Sequence, residues 1–170
     1  VYQDTVYRSL PYPALSGAHQ INNAAGALMA ITCLQTQLPV DVSAIQRGLN
    51  TVTLSGRLEH RSLDGVDVIL DVSHNQQGIA ALAMYLHQHP IEGHTYVVIG
   101  MMSDKDQNAI ISTLDSVVDD WFSVDLKIPR ASSAIEICGK IKQVTGKQCV
   151  KSSATGETRD SVRKIAHSKD

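Results

Sequence analysis

From residue 66 onward, short β-branched runs alternate with longer amphipathic stretches. This alternation restricts the fold more than any other feature. Repeated strand-helix units pack as a mostly parallel sheet with helices on both faces, because right-handed crossovers place them there. Val66-Asp67-Val68-Ile69-Leu70-Asp71-Val72 reads as a buried parallel strand. The stretch from Gln76 to His89 sets Ile79, Leu82, Ala83 and Leu86 on one helical face and is stopped by Pro90. A second strand is expected from Thr95 to Ile99, ended by Gly100, and Ile110, Ile111 and Leu114 then recur at helical spacing. A third strand falls at Trp121 to Val124. Ser132-Ser133 can cap a helix whose apolar positions are Ile135, Ile137, Cys138 and Ile141. A short strand at Gln148-Cys149-Val150 and a helix near Thr155 to His167 complete the series, and the alternation would next demand a strand beyond Asp170. The architecture expected is α/β and Rossmann-like, lacking its last strand.

Residues 1–56 read differently. Pro11 and Pro13 lead to Gly17, after which Ile21, Ala24, Ala25 and Leu28 form the small-residue face of a closely packed helix. A shorter helix runs from Val42 to Leu49. Ser55-Gly56 separates this helical region from residues 57–170, and the domain boundary is placed there.

Composition excludes several classes. The 170 residues carry 15 Lys+Arg against 17 Asp+Glu, too even a balance for a nucleic-acid tail. No apolar run approaches the roughly 18 residues of a membrane span, and the start at Val1 has neither Met nor a basic-then-apolar signal, as expected for a piece of a longer chain. Cys33, Cys138 and Cys149 are widely spaced and form no CxxC, which favours free thiols in a reducing setting over a disulfide framework. No GxGxxG follows a strand and no GxxxxGK[ST] occurs, so a self-sufficient kinase or dehydrogenase is disfavoured. The rings of His87-x-His89 would point to different faces of a helix, which argues against a metal site.

The chemistry concentrates beyond the strand ends, where open α/β sheets bind ligands. Asp71 closes one strand and His74-Asn75 lie in the loop after it. Such a carboxylate can accept from ribose hydroxyls while His and Asn meet phosphate or carboxylate oxygens; alternatively Asp71 caps the next helix and His74-Asn75 only turn the chain. Asp104, Lys105 and Asp106 follow the second strand on the same expected edge, so that two polar loops would face one crevice. Lys105 suits an anionic substrate, although these residues on their own favour a solvated charged loop. Arg57 offers a guanidinium that can clamp phosphate.

Taken in order, Gly17-Ala18-His19-Gln20-x-x-Asn23-Ala24-Ala25, Ser55-Gly56-Arg57, Asp71-Val72-Ser73-His74-Asn75 and Gly100-Met101-Met102-Ser103-Asp104-Lys105-Asp106 resemble the Mur ligase superfamily. The likeness is strongest to its branch that adds L-glutamate to dihydropteroate and folates. The resemblance implies that residues 1–56 end a central ATPase domain and that 57–170 form most of a carboxyl-terminal domain. It implies ATP as phosphoryl donor and an acyl phosphate that the amine of glutamate attacks. Asn23 would meet adenine, Arg57 the phosphates and Asp71 the ribose, while His74 and Lys105 would serve the incoming amino acid or phosphate. Mg2+ ligands and the phosphate-binding loop would lie upstream of Val1, leaving the fragment inactive alone. Small molecules are the expected partners, with no nucleic acid, no membrane and a monomeric full-length protein. Two other readings stay open: a different Mur-type amino-acid ligase, and a nonenzymatic binding module that kept the fold.

Overall fold

The computed structural model describes residues 6–152. The element order is α1 (His19–Leu34), α2 (Val42–Thr51), β1 (Glu59–Leu63), β2 (Val66–Leu70), α3 (Gln76–Gln88), β3 (Tyr96–Ile99), α4 (Gln107–Leu114), β4 (Asp120–Val124), α5 (Ala134–Thr145) and β5 (Cys149–Ser152). A single 3-10 turn, Asp115–Val117, extends α4. The helix expected near Thr155 to His167 lies outside the described residues.

Local chemistry sets the helix ends. A helix start leaves its first four backbone N–H groups without intrahelical partners, and a carboxylate, amide or hydroxyl at the cap accepts from one of them. Asp41 accepts from Ala44 N, Asn75 from Gly78 N and Asp106 from Ala109 N. At α5 the Ser133 side chain and Glu136 satisfy each other's backbone N–H groups in a capping box. Gly146, with φ of 74°, then ends that helix in the left-handed conformation.

β3, β4 and β5 form a parallel three-stranded sheet in that order, with α4 and α5 as the intervening crossovers. Val97, Trp121 and Cys149 occupy one row of the register. That row faces a core built from Ile79 and Ala83 of α3, Ile110, Ile111 and Leu114 of α4, and Ile137 and Ile141 of α5. Ile111, Ile137 and Ile141 are wholly excluded from solvent, each contributing about 2–3 kcal/mol of apolar burial. Ile135, expected on the same face, is 65% exposed. It sits two residues before Ile137, about 200° round the helix, and so looks the other way.

Two expectations fail in the amino-terminal half of the described chain. The first concerns Val66–Val72, which is not a buried member of the parallel sheet. β2 is only partly buried and pairs with β1 in a separate two-stranded sheet. Asp64 and Gly65 join them with φ of 51° and 84°, both positive as a type I′ hairpin turn requires. The Asp-Gly pair was the available signal, and β1, rich in charged residues, gave no apolar run to reveal it. Nor is α1 closely packed, since Gln20 alone among its residues is buried and Ile21, Met29 and Leu34 are each more than two-fifths exposed.

The chain divides into two compact units. The described part of the first runs to Arg61 and includes Ile69–Val72; the second takes Ser62–Val68 and the chain from Ser73 onward.

Candidate functional site

In the first unit, backbone geometry sets Arg57 beside Asp71. Gly56 and Leu58 both have positive φ, 69° and 46°, so the chain turns sharply on either side of Arg57. That turn is fastened at two points. Val72 N–H donates to the Gly56 carbonyl at 2.8 Å, and Leu58 N–H donates to Asp71 Oδ2 at 3.0 Å. Glu59 adds a third tie, accepting from Gly56 N–H at 2.8 Å while pairing with the Arg61 guanidinium. The Gly56 N–H, and then Arg61, hold the Glu59 carboxyl below its usual pKa. Arg57 itself is exposed. The turn thus carries an exposed cation one residue before Leu58, whose N–H is bonded to the half-buried Asp71 carboxylate.

Asn23 belongs to the same unit. Its Nδ2 donates to Gln20 Oε1 at 2.9 Å, and Gln20 Nε2 lies 3.1 Å from His19 Nε2. The His19 ring packs on Gly17, where an added Cβ would come within 2.7 Å of the ring and 3.1 Å of the Leu58 side chain. Contacts therefore run from Asn23 through Gln20, His19 and Gly17 to Leu58, which is bonded to Asp71 and adjoins Arg57. The three residues assigned to the nucleotide fall within this one network.

His74 and Lys105 belong to the second unit. His74 is exposed in the loop after β2, where Asn75 caps α3, so the capping role open to Asp71 is filled by Asn75 instead. Lys105 Nζ pairs with Asp104 Oδ2 at 2.9 Å. The hydrogen bond from Lys105, followed by the charges of Lys105 and Arg130, lowers the Asp104 pKa. Asp106 caps α4. The loop is held from behind: Ser103 N–H donates to Arg130 O at 2.8 Å, Ser132 N–H to Met101 O at 2.9 Å, and buried Gln107 Nε2 to both Met102 O and Ser132 Oγ at 2.8 Å. Sequence reasoning missed this support from Gln107 and the chain at 130–132, since nothing in the spacing of two loops 25 residues apart shows that they pair. It also placed the loops bearing Asp71 and Lys105 on one sheet edge. β2 and β3 belong to different sheets, so a shared edge is not what positions them.

The thiol expectation is corrected too. A disulfide joins Cys138 of α5 to Cys149 of β5, leaving exposed Cys33 as the free cysteine. The pair lies 11 positions apart in sequence, but the turn at Gly146 folds β5 back along α5 and brings the Cα atoms to 5.2 Å. His87 instead contacts Ser116 Oγ and His89 stacks on Tyr85. No helix among the described residues is long and apolar enough to cross a membrane.

A parallel sheet flanked by helices, with polar loops beyond its strands, defines an α/β domain. The family is then identified by comparison: residues 56–170 match the model described as Mur ligase, glutamate ligase domain, and the chain belongs to that family. A dihydrofolate synthase/folylpolyglutamate synthase of Escherichia coli is 36% identical over 115 residues, covering 68% of this chain and 26% of that protein. The solved E. coli FolC in complex with DHPP and ADP superposes with a TM-score of 0.78 at 29% identity, over 94% of this chain and 36% of the other. A bifunctional folylpolyglutamate synthase/dihydrofolate synthase with Mn, AMPPNP and L-glutamate bound gives 0.78 at 29% identity, over 96% and 37%. The chain thus spans about a quarter to just over a third of the length of these relatives.

Proposed function

We propose that this chain is the carboxyl-terminal part of an ATP-dependent ligase that joins L-glutamate to dihydropteroate or to folates. The observation that carries the reading is the paired fastening of residues 56–58 to 71–72, which presents Arg57 and Asp71 together in a chain of the Mur ligase family. Its relatives' complexes with ADP, AMPPNP and L-glutamate supply the ligand classes.

In this reading the folate-type carboxylate attacks the γ-phosphorus of ATP, ADP departs and an acyl phosphate forms. The glutamate amine then attacks the acyl carbon and phosphate leaves. Arg57 neutralises phosphate oxygens as charge moves between them, and its guanidinium does so without changing its own protonation. Asp71 accepts from ribose hydroxyls and Asn23 reads the adenine edge. His74 and Lys105 meet the amino acid or the departing phosphate; Lys105 would exchange its Asp104 partner for the substrate anion. Among the described residues no three His, Cys, Asp or Glu side chains converge to hold a metal ion, so none is assigned to the divalent cation that ATP carries. Residues 1–56 close a central ATPase domain and 57–170 form the second domain. The setting is the cytoplasm, the complete ligase acts as a monomer, and the piece alone does not turn over.

The test is incorporation of labelled L-glutamate into dihydropteroate and into tetrahydrofolate by the complete ligase containing this chain, with ATP and Mg2+. ATP-dependent incorporation into either acid, lost in Asp71→Ala, supports the reading. Folded ligase that ignores both acids but ligates another amino acid would replace it with a different Mur-type activity. No ligation of any amino acid would favour a binding module.

A further inference from the structure

The Cys138–Cys149 bridge joins two elements that are already held in place without it. Ile137 and Ile141, on either side of Cys138 in α5, are wholly buried in the core, and the capping box fixes the start of that helix. β5 is held by its parallel register with β4, Cys149 opposite Trp121 and Val150 opposite Phe122. A structural bridge compensates for a core too small to hold its elements together, whereas α5 and β5 both pack on the core around Trp121. Those contacts set the 5.2 Å between the two Cα atoms, a separation that a bridge spans without moving backbone. The pair is also open to attack. Both cysteines are half-buried, and β5 is the outer strand of the described sheet, with Val150 53% exposed. Lys142 lies one turn beyond Cys138 along α5, and a neighbouring ammonium favours the thiolate that reacts.

We propose that Cys138 and Cys149 form a reversible thiol–disulfide site, closed by a low-molecular-weight disulfide of the glutathione type and opened in a reducing thiol pool. The opening half rests on the cytoplasmic setting read above, where thiols are kept reduced and the bridges that do form are usually transient or redox-sensing. In closing, the Cys138 thiolate attacks one sulfur of glutathione disulfide and expels a glutathione thiolate, which takes up the proton that Cys138 released. The Cys149 thiolate then attacks the Cys138 sulfur of the mixed disulfide and expels the second glutathione. Two protein thiols are oxidised, one glutathione disulfide is reduced to two glutathiones, and opening runs the same steps backwards. The closed form ties β5 to α5, so that the outer strand separates less readily from β4.

The experiment equilibrates the complete ligase containing this chain with glutathione buffers from fully oxidised to strongly reducing, alkylates it, and reads Cys138 and Cys149 by peptide mass. Both should pass together from bridged to alkylated within that range while circular dichroism shows the protein folded throughout. Cys149→Ser should trap Cys138 as its mixed disulfide with glutathione. Backbone amides of β5 should exchange hydrogen about tenfold more slowly in the bridged form than in the open one. A bridge that persists in folded protein at the reducing end is permanent, and thiols that stay free at the oxidised end form none. Unfolding on opening would show that α5 and β5 depend on the bridge, and equal exchange of β5 in both forms would show that it ties nothing. Each of these four results overturns the proposal, as does a Cys138 that glutathione disulfide leaves unmodified in Cys149→Ser. The buffers set the redox state and no turnover is read, so a ligase that ignores glutamate would fail the functional reading and leave this result standing.

Discussion

Asp71 Oδ2 accepts from the backbone N–H of Leu58 at 3.0 Å, across 13 positions of sequence. Leu58 is 3% exposed, with φ of 46°, so the bond stabilises a backbone that a leucine adopts reluctantly and satisfies an N–H in a buried residue. The same carboxylate is therefore both a structural acceptor and the proposed ribose contact. Asp71→Ala should cost about 1–2 kcal/mol of stability, whereas Asp71→Asn retains an acceptor and should recover most of it. Denaturant unfolding of the two variants separates these effects; equal losses would show that the Leu58 bond contributes little.

Gly56 is the second fixed point of that turn. Its φ is 69°, and a Cβ there would lie 2.6 Å from Val72 Cγ1. Gly56→Ala should destabilise by at least about 1–2 kcal/mol from the left-handed backbone alone, with the overlap adding to it. A midpoint unchanged in denaturant unfolding would mean that the turn is not held as described.

Glu59 gives the turn a pH dependence. Its folded-state pKa is lowered from 4.5, chiefly by the Gly56 N–H and then by Arg61, so the unfolded chain binds the proton more readily. The stabilisation is therefore present above pH 4.5 and is lost as pH falls through the lower folded value. Thermal midpoints of wild type and Glu59→Gln should lie apart near neutrality and converge in acid. A constant gap across that range would show that the Glu59 charge plays no part.

The Cys138–Cys149 disulfide closes a short loop between α5 and β5. Closing a loop of that length restricts the unfolded chain by about 2–3 kcal/mol. In a Cys33→Ser background, thiol reduction and Cys138→Ser should each lower the unfolding midpoint, and reduction should have no further effect on the Cys138→Ser protein. Titration of two free thiols in the untreated Cys33→Ser protein would contradict the bridge.

Long-period features were legible from sequence. The α3, α4 and α5 helices and the β3 and β4 strands follow from apolar spacing, because each buries one face in the core around Trp121. Other features escaped it for physical reasons. β1 is stabilised by hairpin pairing rather than apolar burial, so it has no hydrophobic signature. The bridge between Cys138 and Cys149 depends on how Gly146 turns the chain. Arg57 and Asp71 were recognisable as residue types and Asn23 through the family resemblance, but their connection depends on Gln20, His19 and the positive φ at Gly56 and Leu58, which spacing does not reveal.

The central claim is that Asn23, Arg57 and Asp71 serve one nucleotide. Its most direct test is the KM for ATP and for L-glutamate in the complete ligase carrying Asn23→Ala, Arg57→Ala or Asp71→Asn, each confirmed as folded. Every variant should raise the KM for ATP about tenfold or more, a loss of ~1.4 kcal/mol, with the KM for glutamate unmoved. A rise confined to glutamate, or no rise for ATP in all three, would contradict the account.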